Sequence, residues 1–304
     1  ISVYPEDGDN LDVLFRHAEA AMYQAKQSGR GLYRFFSRHL EVDARARHQL
    51  EVHLREALNS GALSVFYQPR YDAALGTADG MEALVRWQRG ERMVSPADFI
   101  PLAEETGLII PLGRQVMLQA CCDAHTLMQD GLRICVGVNI STVQFRDPSF
   151  LSMVREALHD TGLPPELLEL EITEGVMARD IEHTRTLLTE LKQMGVRIAV
   201  DDFGTGYSSL AYIKNLPIDV LKIDQSFVRD MLSDRSDAAI VEAIVQMGHA
   251  LELELIAEGV ESAEQAEALK AQGCRLMQGY HYCRPIPFSQ LRQQLRTQHC
   301  QQGR

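Results

Sequence analysis

Hydrophobic and polar positions change rhythm twice along this chain of 304 residues. Near the start, Leu11, Leu14, Ala18, Ala21, Met22 and Ala25 recur three and four apart, which puts apolar side chains on one face of a helix. Before that helix, Ile1 to Tyr4 reads as a strand end followed by a turn at Pro5-Glu6-Asp7-Gly8. After it, Gly29 is the expected stop, and Leu32 to Phe36 reads as a strand. A segment of about 36 residues cannot bury much of a core alone. Residues 37–60 are richly charged, with Leu50, Leu54, Ala57 and Leu58 at helical spacing and Gly61 beyond them. They predict a connecting helix and a domain boundary.

From residue 63 onward, short β-rich runs alternate with helical stretches. The runs are Leu63 to Gln68, Met81 to Trp87, Ile134 to Ile140, Leu167 to Ile172, Arg197 to Asp201, Val220 to Ile223, Glu254 to Ala257 and Leu276 to Tyr280. Segments such as Ile181 to Met194 and Ala238 to Leu251 carry helical periodicity between them. Eight such alternations predict an α/β fold, a TIM-like (β/α)₈ barrel. The stretch joining the first two runs, with Gly76 and Gly80, is too short for a helical crossover, so the first strand is expected to be antiparallel to its neighbour.

Composition narrows the function. With 45% hydrophobic and 24% charged residues the chain is ordinarily globular. Thirty Lys and Arg against 42 Asp and Glu leave a net charge of −12, which removes the basic face that long nucleic acid requires. No apolar run approaches the roughly 18 residues that span a bilayer, and the N-terminus carries no export signal, so no membrane insertion by this chain is expected. Cys121, Cys122, Cys135, Cys274, Cys283 and Cys300 form no Cys-x-x-Cys pair. A reduced, cytoplasmic protein with cysteines as small buried apolar residues is the expectation.

Polar residues then gather at one end of the predicted barrel. Asn139, Glu171, Asp201, Asp202, Lys222, Glu258 and Gln278 close successive strands, and Glu82 lies in the second. The carboxyl ends of barrel strands surround one pocket. Crowded carboxylates repel by about 4 kcal/mol per pair at 4 Å in an effective dielectric of 20, so positive charge must sit among them. One lysine cannot balance five acids. Oxygen donors without a His or Cys cluster select hard cations, Mg²⁺ or Mn²⁺, and adjacent Asp201-Asp202 suits a pair of ions. That arrangement favours in-line displacement at phosphorus, hence phosphodiester hydrolysis.

These residues occur in recognisable words. Glu82-Ala83-Leu84-Val85-Arg86-Trp87 and Asp201-Asp202-Phe203-Gly204-Thr205-Gly206-Tyr207-Ser208-Ser209 closely resemble the EAL family of cyclic di-GMP phosphodiesterases. Tyr67-Gln68-Pro69, Val138-Asn139-Ile140-Ser141, Glu169-Leu170-Glu171-Ile172-Thr173-Glu174, Leu221-Lys222-Ile223-Asp224, Ala257-Glu258-Gly259-Val260-Glu261 and Gln278-Gly279-Tyr280 continue the match in order. The likeness covers residues 61–298, followed by a tail at 299–304. Residues 1–36, with Tyr4-Pro5-Glu6-Asp7-Gly8 and Ala21-Met22-Tyr23-Gln24-Ala25-Lys26, resemble the C-terminal remnant of a GGDEF diguanylate cyclase domain, joined by the linker helix at 37–60. The cyclase signature is absent, so synthesis of cyclic di-GMP is not expected, and the chain reads as a fragment of a longer sensor or dual-domain protein.

The resemblance implies metal-dependent hydrolysis of cyclic di-GMP to linear 5′-pGpG in bacterial second-messenger signalling. It assigns Glu82, Asn139, Glu171, Asp201, Asp202 and Glu258 to the metal site, with Glu258 also the general base and Lys222 steadying the attacking water or developing charge. Gln68, Leu84, Arg86 and Gln278 would line the ligand, with Asp224 and Glu261 orienting their neighbours. Glu174 would anchor the loop after Asp202, with Gly204 and Gly206 as hinges. A homodimer through the EAL domain is expected. The alternative is a binding module that recognises cyclic di-GMP without turnover; the complete acid set argues for the enzyme. Asp202-Phe203-Gly204 lacks the company of a kinase, the Gly204 to Ser209 run lacks a dinucleotide fingerprint, and Asn139-Ile140-Ser141 is an idle sequon. His159-Asp160 reads as a solvated helix end. Arg70 carries no assigned role.

Overall fold

The structure, a computed structural model, describes residues 1–27, 31–177, 180–205 and 214–302. Two helices lead the chain, α1 (Leu11–Gln27) and α2 (Arg38–Ser60), the latter ended by Gly61 at φ +72° as the left-handed cap expected of glycine. Then come β1 (Leu63–Asp72), β2 (Thr77–Arg89), β3 (Arg92–Val94), α3 (Pro96–Thr106) and α4 (Ile109–Gln129). The middle of the chain supplies β4 (Cys135–Ile140), α5 (Thr142–Phe145), α6 (Phe150–Thr161), β5 (Leu168–Thr173), α7 (Glu174–Met177), α8 (Ile181–Gln193) and β6 (Arg197–Phe203). Beyond it lie β7 (Val220–Ile223), α9 (Gln225–Asp230), α10 (Arg235–Ala250), β8 (Glu254–Ala257), α11 (Ala263–Gln272), β9 (Leu276–Met277), β10 (Ile286–Pro287) and α12 (Phe288–Gln302).

The sheet closes on itself. β2, β4, β5, β6, β7, β8 and β9 run parallel in that order, and β1 completes the ring by pairing antiparallel with both β2 and β9. This is the (β/α)₈ barrel with one reversed strand. The reversal has a local cause: β1 and β2 are joined at Asp72, whose carboxylate accepts the N–H groups of Ala74 and Leu75 at 2.8 and 3.1 Å, and Gly76 follows at φ +65°. A turn that tight leaves no crossover, and the next strand must return antiparallel. Two short edge pieces, β3 and β10, extend β2 and β1 and were not anticipated.

Burial follows the pattern. Val136, Val138, Leu168, Leu170, Ile198, Val200, Leu221 and Leu255 from the barrel strands pack with Leu188, Leu191, Val241 and Val245 from the surrounding helices. Parallel strands covered in this way read as nearly continuous apolar runs. A second cluster joins Leu54 and Ala57 of α2 to Leu63, Trp87, Phe99 and Leu112, with Trp87 edge-on to Phe99 at 5.5 Å. The inner half of α2 is thus packed onto the barrel.

The first segment departs from expectation. Neither Ile1 to Tyr4 nor Leu32 to Phe36 is a strand. The two stretches touch through Ile1 N–H donating to the Arg34 carbonyl and Phe36 N–H to the Ile1 carbonyl, both 2.7 Å, too few bonds for a ladder. Of the predicted apolar face of α1, Ala21 and Ala25 are buried, whereas Leu11 and Met22 are exposed. Gly29, the expected helix stop, lies outside the described residues. Cysteine burial holds for Cys121, Cys135 and Cys274, but Cys122 is exposed and Cys283 half-buried; Cys300 has no described side chain.

Candidate active site

Three short capping sequences fix where strands stop at one pole of the barrel. After β4, Ser141 and Gln144 form a reciprocal capping box; after β7, the Asp224 carboxylate accepts the Ser226 N–H at 2.9 Å; after β8, Ser262 and Gln265 form a second box. Each cap starts a helix within a few residues of the strand end, which holds Asn139, Lys222 and Glu258 at the mouth. At the end of β6 the pairing register slips between Val200 and Phe203, and Asp202 takes φ +54°, a left-handed conformation uncommon for a residue with a side chain. A bulge of this kind re-aims neighbouring side chains, so Asp201 is buried and Asp202 exposed although they are adjacent.

Lys222 is the centre of the cluster. Its ammonium, 1% exposed, lies 2.5 Å from Glu171, 2.6 Å from Glu258, 3.2 Å from Asp201 and 4.0 Å from Glu82. Glu82 is held by amides, with Asn139 Nδ2 donating at 2.6 Å to one carboxylate oxygen and Gln278 Nε2 at 2.5 Å to the other. Gln278 also donates to Gln68 Oε1 at 3.3 Å, and Gln68 Nε2 donates to the Cys283 carbonyl at 3.0 Å. Space for this packing comes from glycine: a Cβ on Gly137 would stand 1.9 Å from Glu171 Oε1, and one on Gly279 would meet the Val260 backbone at 2.1 Å.

The charges strain against each other as expected of buried acids. Burial would depress the Lys222 ammonium, yet Asp201, Glu171, Glu258 and Glu82 hold its pKa well above the ordinary lysine value. Burial lifts Glu171 far above the usual carboxylate range despite Lys222, with Glu82 and Asp201 adding to the rise. Glu258 is pushed up to about 8, by burial first and then by Asp201 and Glu82, against the pull of Lys222. Asp202 rises to about 6 through burial, the charge of Asp201 and a hydrogen bond to Asp224. Asp201, Asp202 and Glu258 each offer an oxygen, all within 4.8 Å of one another. Such a set can hold a hard divalent cation, which would relieve the repulsion that raises the proton affinity of Asp202 and Glu258.

The other sequence-derived residues sit around this centre. The Glu174 carboxylate, buried at the start of α7, accepts the N–H of Gly204 at 3.3 Å. Gly206 and the rest of the loop to residue 213 lie outside the described residues. Arg86 on β2 is half-buried, with Tyr280 and Glu82 close enough to act on its charge, and lies 5.9 Å over the Phe66 ring. Leu84 is half-buried on the same strand. Asp224 serves as a helix cap beside Asp202. Glu261 is exposed, its backbone N–H donating to Gln265 at 2.7 Å. His159 and Asp160 are an exposed pair at the end of α6, as expected.

Arg70 belongs elsewhere. It pairs in register with Gly80, which lies beside Cys135 at the start of β4, so it occupies the opposite pole. There its guanidinium, 5% exposed, donates to buried Glu169 at 2.8 Å and to Asp79 at 3.0 Å, while Arg197 donates to Glu169 at 3.2 Å and also to Glu254. In the loop after Gln278 the Arg284 guanidinium lies 4.4 Å over the half-exposed Tyr280 ring, a contact that the sequence does not mark.

Comparison with known proteins agrees with this geometry. The sequence profile of the EAL domain matches residues 51–285. The bifunctional diguanylate cyclase/cyclic di-GMP phosphodiesterase MucR of Pseudomonas aeruginosa is 42% identical over 293 residues, 96% of this chain and 43% of that protein. The cyclic di-GMP phosphodiesterase NbdA of the same organism is 41% identical over 299 residues, 98% of this chain and 38% of that protein. The chain therefore spans less than half the length of these curated relatives. The solved structure of the PaMucR phosphodiesterase in complex with c-di-GMP superposes with a TM-score of 0.78 at 43% identity, covering 80% of this chain and 99% of that one. A barrel with one reversed strand, a lysine ringed by acids at its mouth and a profile match across most of its length make this chain a member of the EAL domain family.

Proposed function

We propose that this chain is a cyclic di-GMP phosphodiesterase that opens its substrate to linear 5′-pGpG with the help of two divalent ions, Mg²⁺ or Mn²⁺. The observation that carries the reading is the convergence of Glu82, Glu171, Asp201, Asp202 and Glu258 around one buried lysine, with Asn139 completing an oxygen-rich ligand set. Its relatives MucR and NbdA are named as cyclic di-GMP phosphodiesterases, MucR as a bifunctional one. Bound ions would supply Lewis-acid neutralisation of phosphate charge and acidify water at the site.

The chain's own groups do the rest. Lys222 brings a permanent positive charge into a buried setting, where it meets charge developing on the phosphoryl oxygens or the attacking water. Glu258, 2.6 Å from Lys222 at the mouth, would take up the proton that water releases once bound ions have relieved the crowding that otherwise keeps it protonated. Arg86 faces phosphate, and Gln68, Leu84 and Gln278 line the ligand, with Asp224 and Glu261 orienting their neighbours. Through Gly204, Glu174 steadies the loop that follows Asp202.

The same reading extends to organisation. Residues 1–36 are the tail of a GGDEF domain: the match to a protein named as a bifunctional cyclase runs through 96% of this chain, and the segment exposes Leu11, Phe15, Met22, Leu32, Tyr33 and Phe35. A homodimer and a cytoplasmic location complete the proposal; among the described residues no helix is long and apolar enough to cross a membrane. The test is turnover by site variants. Glu82→Ala and Asp201→Ala are expected to abolish hydrolysis while the barrel still melts cooperatively. Wild-type turnover in either variant contradicts the assignment.

A further inference from the structure

The short helix α9 (Gln225–Asp230) touches the segments that carry Asp202 and Glu258 at three points. Its capping residue, Asp224, shares a hydrogen bond with Asp202. Its first residue closes against the backbone after Glu258: a Cβ on Gly259 would stand 2.5 Å from Gln225 Cβ and 3.1 Å from Gln225 Cα. Its third residue, Phe227, lies against Gly204, where a Cβ would stand 2.9 Å from Phe227 Cε2 and 3.3 Å from Ile244 Cδ1 of α10. The helix is itself pinned. Gln265, buried in α11, donates from Nε2 to the carbonyls of Val228 and Arg229 at 3.1 and 3.2 Å, while its Oε1 accepts the N–H groups of Glu261 and Ser262 at 2.7 and 3.0 Å. One fully used amide thus ties α9 to the segment that follows Glu258. Asp202, at φ +54°, holds a sparsely populated conformation, which persists only where its surroundings over-determine it. Glu174 holds the Gly204 N–H by one bond, about which the turn could still pivot, whereas a close-packed ring removes that freedom.

We propose that Phe227 is a positioning residue for metal binding: its ring is the floor on which the Gly204 turn rests, and it keeps Asp202 in the conformation that presents a carboxylate beside Asp201 and Glu258. This rests on the metal-dependent reading above and deepens it. Phe227 offers no donor atom to an ion and acts through the backbone of Gly204. With a smaller or more flexible side chain in its place the turn relaxes, and Asp202 leaves the set of oxygens that lie within 4.8 Å of one another. The consequence falls on the affinity for the ion, since Lys222 and the buried carboxylates keep their places.

The test is calorimetric titration of the chelator-treated protein with Mn²⁺, together with the Mn²⁺ concentration that gives half-maximal turnover of cyclic di-GMP. Phe227→Leu and Phe227→Met, which stay apolar and lose the flat ring, are expected to weaken Mn²⁺ binding roughly tenfold or more, as removal of a group that supports a metal ligand does. The half-activating concentration should rise by the same factor, while kcat at saturating Mn²⁺ and KM for cyclic di-GMP stay near wild type. Phe227→Tyr keeps the ring face and should bind Mn²⁺ as the wild type does. Leu295→Ala, which opens a cavity under α12 instead, should lower Tm and leave Mn²⁺ affinity unchanged. Unchanged affinity in Phe227→Leu and Phe227→Met overturns the proposal, as does an equal loss in Leu295→Ala. A wild-type chain that binds Mn²⁺ and leaves cyclic di-GMP intact refutes the hydrolase reading alone, and the titration still decides the role of Phe227. A wild-type chain that takes up no Mn²⁺ overturns both.

Discussion

Lys222 shows how one residue can be both necessary and tightly constrained. It is buried to 1% exposure with acids on four sides, and a buried cation persists only when paired. Lys222→Met keeps most of the volume and removes the charge. Because that charge matters most as the transition state forms, kcat is expected to fall on the order of a hundred- to a thousandfold, with KM nearly constant. A loss confined to KM in steady-state kinetics contradicts the role. Gly137 is the complementary case, since the absence of a side chain gives Glu171 its position. Gly137→Ala would put a methyl group 1.9 Å from Glu171 Oε1. Turnover should drop sharply, and urea unfolding should report a loss of about 1 to 3 kcal/mol, the usual cost of overpacking.

At the level of strands and helices, the barrel could be read from rhythm alone because its parallel strands are covered on both sides and separated by helical periodicity. The reversed β1 was legible from the length of one connection. The two edge pieces β3 and β10 were not, since strands of 3 and 2 residues carry no period. The apolar face of α1 was misjudged for a different reason: periodicity tells which side chains share a face but not whether anything covers it, and here Leu11 and Met22 meet no cover. Among the site residues, the acids could be placed at strand ends by counting. The bulge that turns Asp202 outward depends on pairing with β7 and leaves no mark in the sequence. Arg70 was opaque because its partners, Glu169 and Arg197, come from strands far along the chain. The role now seen makes a prediction: Arg70→Met leaves Glu169 buried against Arg197 alone and should cost about 3 kcal/mol, as broken buried pairs do. Arg70→Met combined with Glu169→Leu should recover part of it. A single variant as stable as wild type in urea contradicts a structural role for the pair.

For the whole molecule, the crowding of acids that makes the site also makes metal-free stability depend on pH. Glu171, Glu258 and Asp202 have folded pKa values raised above those of the unfolded chain. Between roughly pH 4.5, where unfolded carboxylates ionise, and about 8, where Glu258 lets go, the folded state therefore holds more protons. Stability from these groups is present at the low end and lost as pH rises through their folded pKa values. The Tm of the metal-free protein should fall between pH 5.5 and 8, and Glu258→Gln should flatten that slope. A Tm independent of pH across this range contradicts the crowding. Added Mn²⁺ should raise Tm more at pH 8 than at pH 6, because binding no longer competes with protons. An overall charge of −12 leaves the chain no general attraction for an anionic dinucleotide, so recognition falls to the local field at the barrel mouth.

The most direct measurement is product analysis by chromatography after the chelator-treated protein is mixed with cyclic di-GMP, with and without Mg²⁺ or Mn²⁺. Linear 5′-pGpG should accumulate only when an ion is present, and Asp201→Ala should yield none under either ion. Cyclic di-GMP that is bound yet recovered whole with both ions contradicts a hydrolase and leaves a receptor in its place.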